Sequence, residues 1–222
     1  MGAQASAGAC EGEERANGEE RMREQHRRMR GAVDREAGTD LRIHRVAGED
    51  WASHRALRLD MLEADPEAFW ADPAEVRART ERQWREEIAG PRLHLQARRG
   101  DAVLGGIALL PEGYVPQHVI PADRALIVSL WVRPEARGTG VSRALFRALA
   151  QLALDLGRPD LRLDVDESNL AAQRLYERLG FEATGARDPR EGRATAWVEY
   201  AIHAEHLLEG QHLPEGQHLL ES

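Results

Sequence analysis

The stretch Ala125-Leu126-Ile127-Val128-Ser129-Leu130-Trp131-Val132, followed by Arg133-Pro134-Glu135-Ala136-Arg137-Gly138-Thr139-Gly140-Val141, decides the fold. The first eight residues are almost continuously apolar, which predicts a strand buried on both faces. After the turn, apolar residues recur at Val141, Leu145, Leu149, Leu152 and Leu156. That spacing is one stripe of a helix lying on a sheet. A strand, a glycine-bearing turn and a helix N-terminus together make an anion site, because unpaired backbone N–H groups and the positive dipole end face one point. Gly138 and Gly140 let the chain turn sharply and approach a ligand closely. Each anionic charge placed there gains about 0.3–1 kcal/mol, which favours a diphosphate over a single carboxylate. The glycine pair alone also fits an ordinary tight turn, and it lacks the third glycine of a dinucleotide fingerprint.

Toward the C-terminus, Leu161, Leu163 and Val165 predict a further strand, and Asp166-Glu167-Ser168-Asn169 leads into a helix over Leu170–Leu179. Ser168 or Asn169 suits its N-cap and Gly180 its C-cap. Ala172, Leu175, Tyr176 and Leu179 share one face, so Tyr176 points toward the sheet. Toward the N-terminus, Leu41, Ile43 and Val46 predict a short strand. A helix over Glu49–Ala64 follows, with Trp51, Leu57 and Met61 on its apolar side, and then a second over Pro73–Ile88 anchored by Trp84. Leu93, Leu95 and Ala97 alternate, Gly100-Asp101 supplies a turn, and Val103–Leu110 completes a hairpin. Tyr114–Asp123 reads as a loop.

The chain has 222 residues, 42% hydrophobic and 31% charged, with a net charge of -8. All 30 of its basic residues are arginine, so no side-chain amine is available as a Schiff-base former or phosphate-loop lysine. Residues 1–40 carry nine acids and seven arginines and almost no large apolar residue, which predicts a disordered tail apart from a transient helix near Glu19–Arg30. Residues 203–222 carry four acids, no arginine and a six-residue near-repeat, and read as a low-complexity tail. The domain is therefore expected over 41–202, nearly neutral, which argues against nucleic-acid binding. No apolar run reaches membrane-spanning length. The single Cys10 excludes a disulfide framework and fits a reducing, cytoplasmic setting; the lysine-free, arginine-rich composition reads as that of a GC-rich bacterial genome. Met1–Ser6 matches a myristoylation pattern of low specificity, and acids interrupt any secretory signal. His206, His212 and His218 are spaced onto different helical faces, so no metal is expected.

The two central motifs resemble those of the GNAT superfamily of N-acetyltransferases. The first is the apolar strand with Val132-Arg133-Pro134 and then Arg137-Gly138-Thr139-Gly140-Val141-Ser142; the second is Asn169, Ala172, Tyr176, Gly180 and Phe181 at the family's spacing. The resemblance implies an α/β fold with a twisted mixed sheet, flanked by helices, that splays between the strands ending at Val132 and Val165. Acetyl-coenzyme A would lie in the cleft as co-substrate. Backbone N–H groups of Gly138, Thr139, Gly140, Val141, Ser142 and Arg143 would hold its pyrophosphate, with Arg137 beside them. The strand backbone at Leu130, Trp131 and Val132 would pair with the pantetheine arm, Asn169 would contact that arm, and Tyr176 would sit near the thioester sulfur as proton donor.

The chain departs from the family's pattern in two places. Ser142 stands where the family has Gly or Ala, and its backbone N–H survives. The central strand also lacks the glutamate that many members use as base, leaving water, a main-chain carbonyl, Ser129 or His118. The implied reaction moves acetyl to a primary amine in a ternary complex, with a small-molecule amine as the expected acceptor. A protein N-terminus and a non-catalytic acyl-coenzyme A binding module are the alternatives. Trp70, Trp84 and Tyr114 are candidates for the acceptor pocket, and an edge strand near Trp197–Ile202 could support a homodimer.

Overall fold

The computed structural model describes residues 40–66, 69, 71–115 and 117–209. Trp70, Cys10, His212, His218 and the N-terminal patterns lie outside the described residues. Strand β1 (Leu41–Arg45) is followed by a single 3-10 turn and by helix α1 (Trp51–Ala64). The single helix expected over 73–88 is instead two, α2 (Pro73–Ala78) and α3 (Glu81–Ile88). Helical periodicity runs through the junction, but Thr80 stops it. Its backbone is extended, its side chain accepts from the Gln83 N–H, and Gln83 returns a bond to the Thr80 N–H. This reciprocal pair starts a new helix.

Strands β2 (Leu93–Arg99) and β3 (Ala102–Leu110) form the expected antiparallel hairpin. Strand β4 (Arg124–Val132) leads through the glycine turn into helix α4 (Val141–Asp155), and β5 (Asp160–Asp166) into helix α5 (Leu170–Arg178). Strand β4 is not buried on both faces: buried and half-covered residues alternate over its first half, so one face is only partly covered there. Strands β6 (Glu182–Pro189) and β7 (Ala196–His203) complete one open mixed sheet of order β1-β2-β3-β4-β5-β7-β6. Strand β7 is paired on both sides, so the strand near Trp197–Ile202 is interior and β6 is the edge. Every residue of β6 is exposed, and it carries no apolar alternation that would mark it in sequence. A short helix, α6 (Ala204–Glu209), lies within the stretch read as a tail, with Ala204 and Leu207 buried. Low-complexity composition hid this i, i+3 apolar pair.

The sheet opens where the expected splay was placed. Strands β4 and β5 pair in parallel only at Arg124↔Asp160, Ala125↔Leu161 and Leu126↔Arg162. Beyond that point β4 stays with β3 as far as Val132↔Gly105, and β5 stays with β7 as far as Asp166↔Trp197. Ion pairs clamp the closed end: Asp160 accepts from Arg124 Nε at 2.8 Å and from Arg162 Nε at 2.7 Å. Burial works against the Asp160 charge, but these bonds prevail and hold its carboxyl below the ordinary range. Between the pairs Gly106↔Trp131 and Ala108↔Val128, the single β3 residue Ile107 stands opposite two residues of β4, Ser129 and Leu130, so β4 bulges. Ser129 takes up the bulge at φ 57, the only described non-glycine residue with positive φ. Helix α1 packs on the sheet so closely that a Cβ at Gly106 would stand 2.9 Å from Leu57 Cδ2. Leu57, Met61, Leu62, Val76, Trp84 and Trp131 form the core beneath it. No helix among the described residues is long and apolar enough to cross a membrane.

Candidate active site

At the open end of β4, Gly138 and Gly140 adopt φ 76 and φ 89. A Cβ at either would meet nothing within 4 Å, so backbone conformation rather than space requires glycine here. Gly140 is the N-cap of α4, and the first intrahelical bond runs from the Ala144 N–H to the Gly140 carbonyl. The N–H groups of Val141, Ser142 and Arg143 precede that bond and remain at the helix's positive end. Thr139 Oγ donates to the Ala136 carbonyl at 2.7 Å and tightens the turn. Arg137 does not reach forward to an anion. Its Nε donates to the Val132 carbonyl and its Nη2 to Asp65, both at 3.0 Å, so it ties the turn back to β4 and α1. Arg143 is exposed and has no ion-pair partner among the described residues.

Leu130 is half-buried. Trp131 is buried in the core, where its indole N–H donates to Asp65 at 2.7 Å. Past the bulge, the backbone of Leu130–Val132 has β3 on one side and no β5 partner on the other. On the facing wall, Asn169 Oδ1 caps α5 by accepting from the Ala172 N–H at 3.1 Å. Asp166 anchors the turn before it, accepting from Ser168, Thr195 and Arg190. Those bonds outweigh burial and keep its carboxyl far below the ordinary range. Tyr176 is buried among Phe146, Phe181 and Tyr200, with ring centroids 5.7–6.2 Å apart. Burial pushes its phenol up to about 12.

Two cavities lie against the sheet. The larger, about 210 Å³, lies between the β3–β4 loop and the sheet and is lined by His118, Arg124, Leu126, Asp164, Asp188 and Glu199. Burial first, and then Glu199 and Asp188, raise the Asp164 carboxyl. The smaller, about 20 Å³, is lined by His54, Arg58, Glu87, Arg92, His94 and Gln96 and reaches Ser129 in the bulge. The two base candidates, His118 and Ser129, thus line different cavities. Tyr114 is half-exposed and lies under the Arg92 guanidinium. Trp84 is fully buried and belongs to the core rather than to a pocket wall.

The smaller cavity was not legible in sequence. His54 and His94 are buried with rings 4.5 Å apart, and Glu87 Oε1 is 3.8 Å from His54 Nε2. Glu87 also pairs with Arg79 and lies 3.7 Å from Arg92. Despite burial, the adjacent His54 imidazole and the Arg92 and Arg79 charges bring its carboxyl down to about 2. Burial, followed by His54 and Arg92, lowers His94 to about 3, so its ring is neutral. The potential ligand atoms of His54, Glu87 and His94 lie within 4.8 Å of one another, a trio distinct from the tail histidines weighed from sequence. Glu87 reads as one more charge on a charged helix, and His94 sits between two leucines whose alternation pointed elsewhere. The one available signal was a histidine in a strand covered on both faces.

Residues 56–181, more than half the chain, match the family model described as acetyltransferase (GNAT) family. The human N-acetyltransferase 8B is 35% identical over 89 residues, which are 40% of this chain and 38% of the human protein. An uncharacterized N-acetyltransferase of Mycobacterium bovis is 32% identical over 108 residues, 48% of this chain and 64% of that one. The chain therefore spans less than two thirds of the length of these relatives. Among solved structures, a Salmonella typhimurium protein assigned as an acetyltransferase and solved with its cofactor acetyl-CoA superposes with a TM-score of 0.57. Its identity is 18%, covering 75% of this chain and 95% of that chain, a likeness of fold.

Proposed function

This chain belongs to the acetyltransferase (GNAT) family, and we propose that it transfers the acetyl group of acetyl-CoA to the primary amine of a small molecule within a ternary complex. The observation that carries this reading is the alignment of the β4–β5 opening with the Gly138–Gly140 turn. The turn and the first N–H groups of α4 form a donor cradle of the size and sign of a diphosphate. On the side away from β3, the backbone of Leu130–Val132 has no strand partner and presents an edge to an extended amide-bearing arm. These two features fit the cofactor, which supplies an activated acetyl thioester.

The chain's own residues then have separable tasks. Gly138, Thr139, Gly140, Val141, Ser142 and Arg143 bind through their backbone, and Arg137 positions the turn. The β4 bulge exposes main-chain donors near Leu130 that can stabilise charge developing on a carbonyl oxygen. Asn169 orients the α5 wall. Tyr176 faces the leaving thiolate. With its phenol at about 12, against about 8.5 for a thiol, full proton transfer is uphill by roughly 5 kcal/mol, so its role is to donate a hydrogen bond that stabilises the thiolate. As the amine nitrogen bonds to the acetyl carbon, the C–S bond breaks, and the amine proton leaves to solvent or to the groups around Ser129.

The test is release of free thiol from acetyl-CoA by the purified full chain with a panel of primary amines. Turnover on small amines supports the proposal. Turnover confined to peptide N-termini would replace it with protein acetylation, and tight acetyl-CoA binding without turnover on any amine would leave a binding module.

A further inference from the structure

Gln96 is 1% exposed, and its amide orientation is determined by its neighbours. Arg98 donates to Gln96 Oε1 from Nε at 3.1 Å and from Nη2 at 2.7 Å, so Nε2 must face the small cavity as a donor. Nε2 has no hydrogen-bond partner among the described residues, and neither does Nε2 of His94, while Nε2 of His54 has only the Glu87 carboxylate near it, at 3.8 Å and beyond hydrogen-bond distance. Each buried polar atom left unpaired costs about 1–3 kcal/mol, so three around one cavity mark a built site. The charge count indicates what it takes. Of the charged residues lining the cavity, Arg58 and Arg92 stand against the single carboxylate Glu87, which is already engaged by Arg92 and, from outside the lining, by Arg79. Arg58 donates to Met61 Sδ and lies over the Phe69 ring, and no carboxylate is bonded to it among the described residues. A divalent metal could use the two imidazoles and Glu87 but would leave the Gln96 donor unpaired and add positive charge to a lining that is already net positive. An oxyanion satisfies Gln96, Arg58 and both imidazoles together.

We propose that this cavity binds a carboxylate on the acceptor, so that the acceptor is an amino-acid-like primary amine held by Arg58, Gln96, His54 and His94. The cavity of about 20 Å³ accommodates one or two oxygen-sized groups, and it reaches Ser129 at the β4 bulge. A carboxylate seated there places a nearby amine beside the strand edge assigned to the thioester. This inference rests on the acetyl-transfer reading for the role of that amine, while the binding it predicts stands apart from turnover.

The experiment measures binding of free α-amino acids and of their matched α-amides to the full chain by thermal shift and calorimetry. The amides keep the amine and lose the charge. At least one acid is expected to bind tenfold or more tightly than its amide. Arg58→Gln and Gln96→Leu should each bring that ratio close to one, with acetyl-CoA affinity unchanged. A panel in which no acid binds better than its amide overturns the proposal. So does a Zn²⁺-induced rise in Tm that disappears in His94→Ala, which would make the cavity a cation site. Failure of the wild-type chain to bind acetyl-CoA would overturn the transfer reading and leave the acid-to-amide ratio still decisive for the cavity.

Discussion

Replacing Gly140 with aspartate tests the diphosphate cradle most directly, because the structure separates the two costs of the change. Gly140 has φ 89, a conformation that L-residues adopt with a penalty of about 1–2 kcal/mol. No steric cost accompanies it, since a Cβ there meets nothing within 4 Å. Gly140→Ala therefore reports backbone strain alone, as a fall in folding stability of about 1–2 kcal/mol. Gly140→Asp adds a carboxylate at the helix N-terminus, where the ligand's negative charge would lie. At about 5 Å and an effective dielectric of about 20, one such pair of like charges costs on the order of 3 kcal/mol. Solvent exposure of the turn reduces this to about 1.5–3 kcal/mol, or roughly 10- to 150-fold in Kd. Calorimetric titration of wild type, Gly140→Ala and Gly140→Asp with acetyl-CoA, beside urea unfolding of each, separates strain from charge. Equal acetyl-CoA affinity in the folded aspartate variant and in wild type would refute the cradle.

Tyr176→Phe should lower kcat at least tenfold with little change in acetyl-CoA affinity, because it keeps the ring packing against Phe146, Phe181 and Tyr200 and removes only the hydroxyl; steady-state kinetics with calorimetry checks both. Thr80→Ala removes the reciprocal cap of α3 and should cost about 1 kcal/mol in urea unfolding, with no change in the circular-dichroism fold signature. His94 and Glu87 both have folded-state values below their unfolded ones, so each stabilises the fold above its unfolded value and loses that contribution as pH falls. Unfolding free energy should therefore decline from about pH 6.5 as His94 is forced to charge, and more steeply below about pH 4.5 as Glu87 is protonated. His94→Gln should flatten the upper part of that limb and Glu87→Gln the lower; unaltered limbs in both variants would contradict the assigned environments.

Most of the candidate site's scaffold could be read locally. The Val141, Leu145 and Leu149 stripe, the glycine turn and the Asn169 cap are set by neighbours within a few residues and appear as periodicity and backbone conformation place them. Leu156, expected on the same stripe, is instead an exposed C-cap where the helix has already ended. Some features escaped local reading for identifiable reasons. Periodicity ran across Thr80 although a cap interrupts the helix, β6 has no apolar alternation because it is an exposed edge, and α6 hides in repetitive composition. Arg137 looked like a phosphate ligand because it stands in the motif, yet Val132 and Asp65 claim its guanidinium.

The sequence by itself determined the strand–turn–helix cradle and the α5 face that carries Tyr176, because glycine φ freedom, capping and helical spacing act over short distances. Only the tertiary structure decided where β4 and β5 part, through the Arg124–Asp160–Arg162 clamp at one end and the Ser129 bulge beyond it. It alone also brought His54, Arg58, Glu87, His94 and Gln96 around one cavity from a helix, a second helix and a strand. Each of these residues is ordinary within its own element. Their chemistry arises from shared burial, which leaves donors unpaired and charge unbalanced in a way that no local spacing encodes.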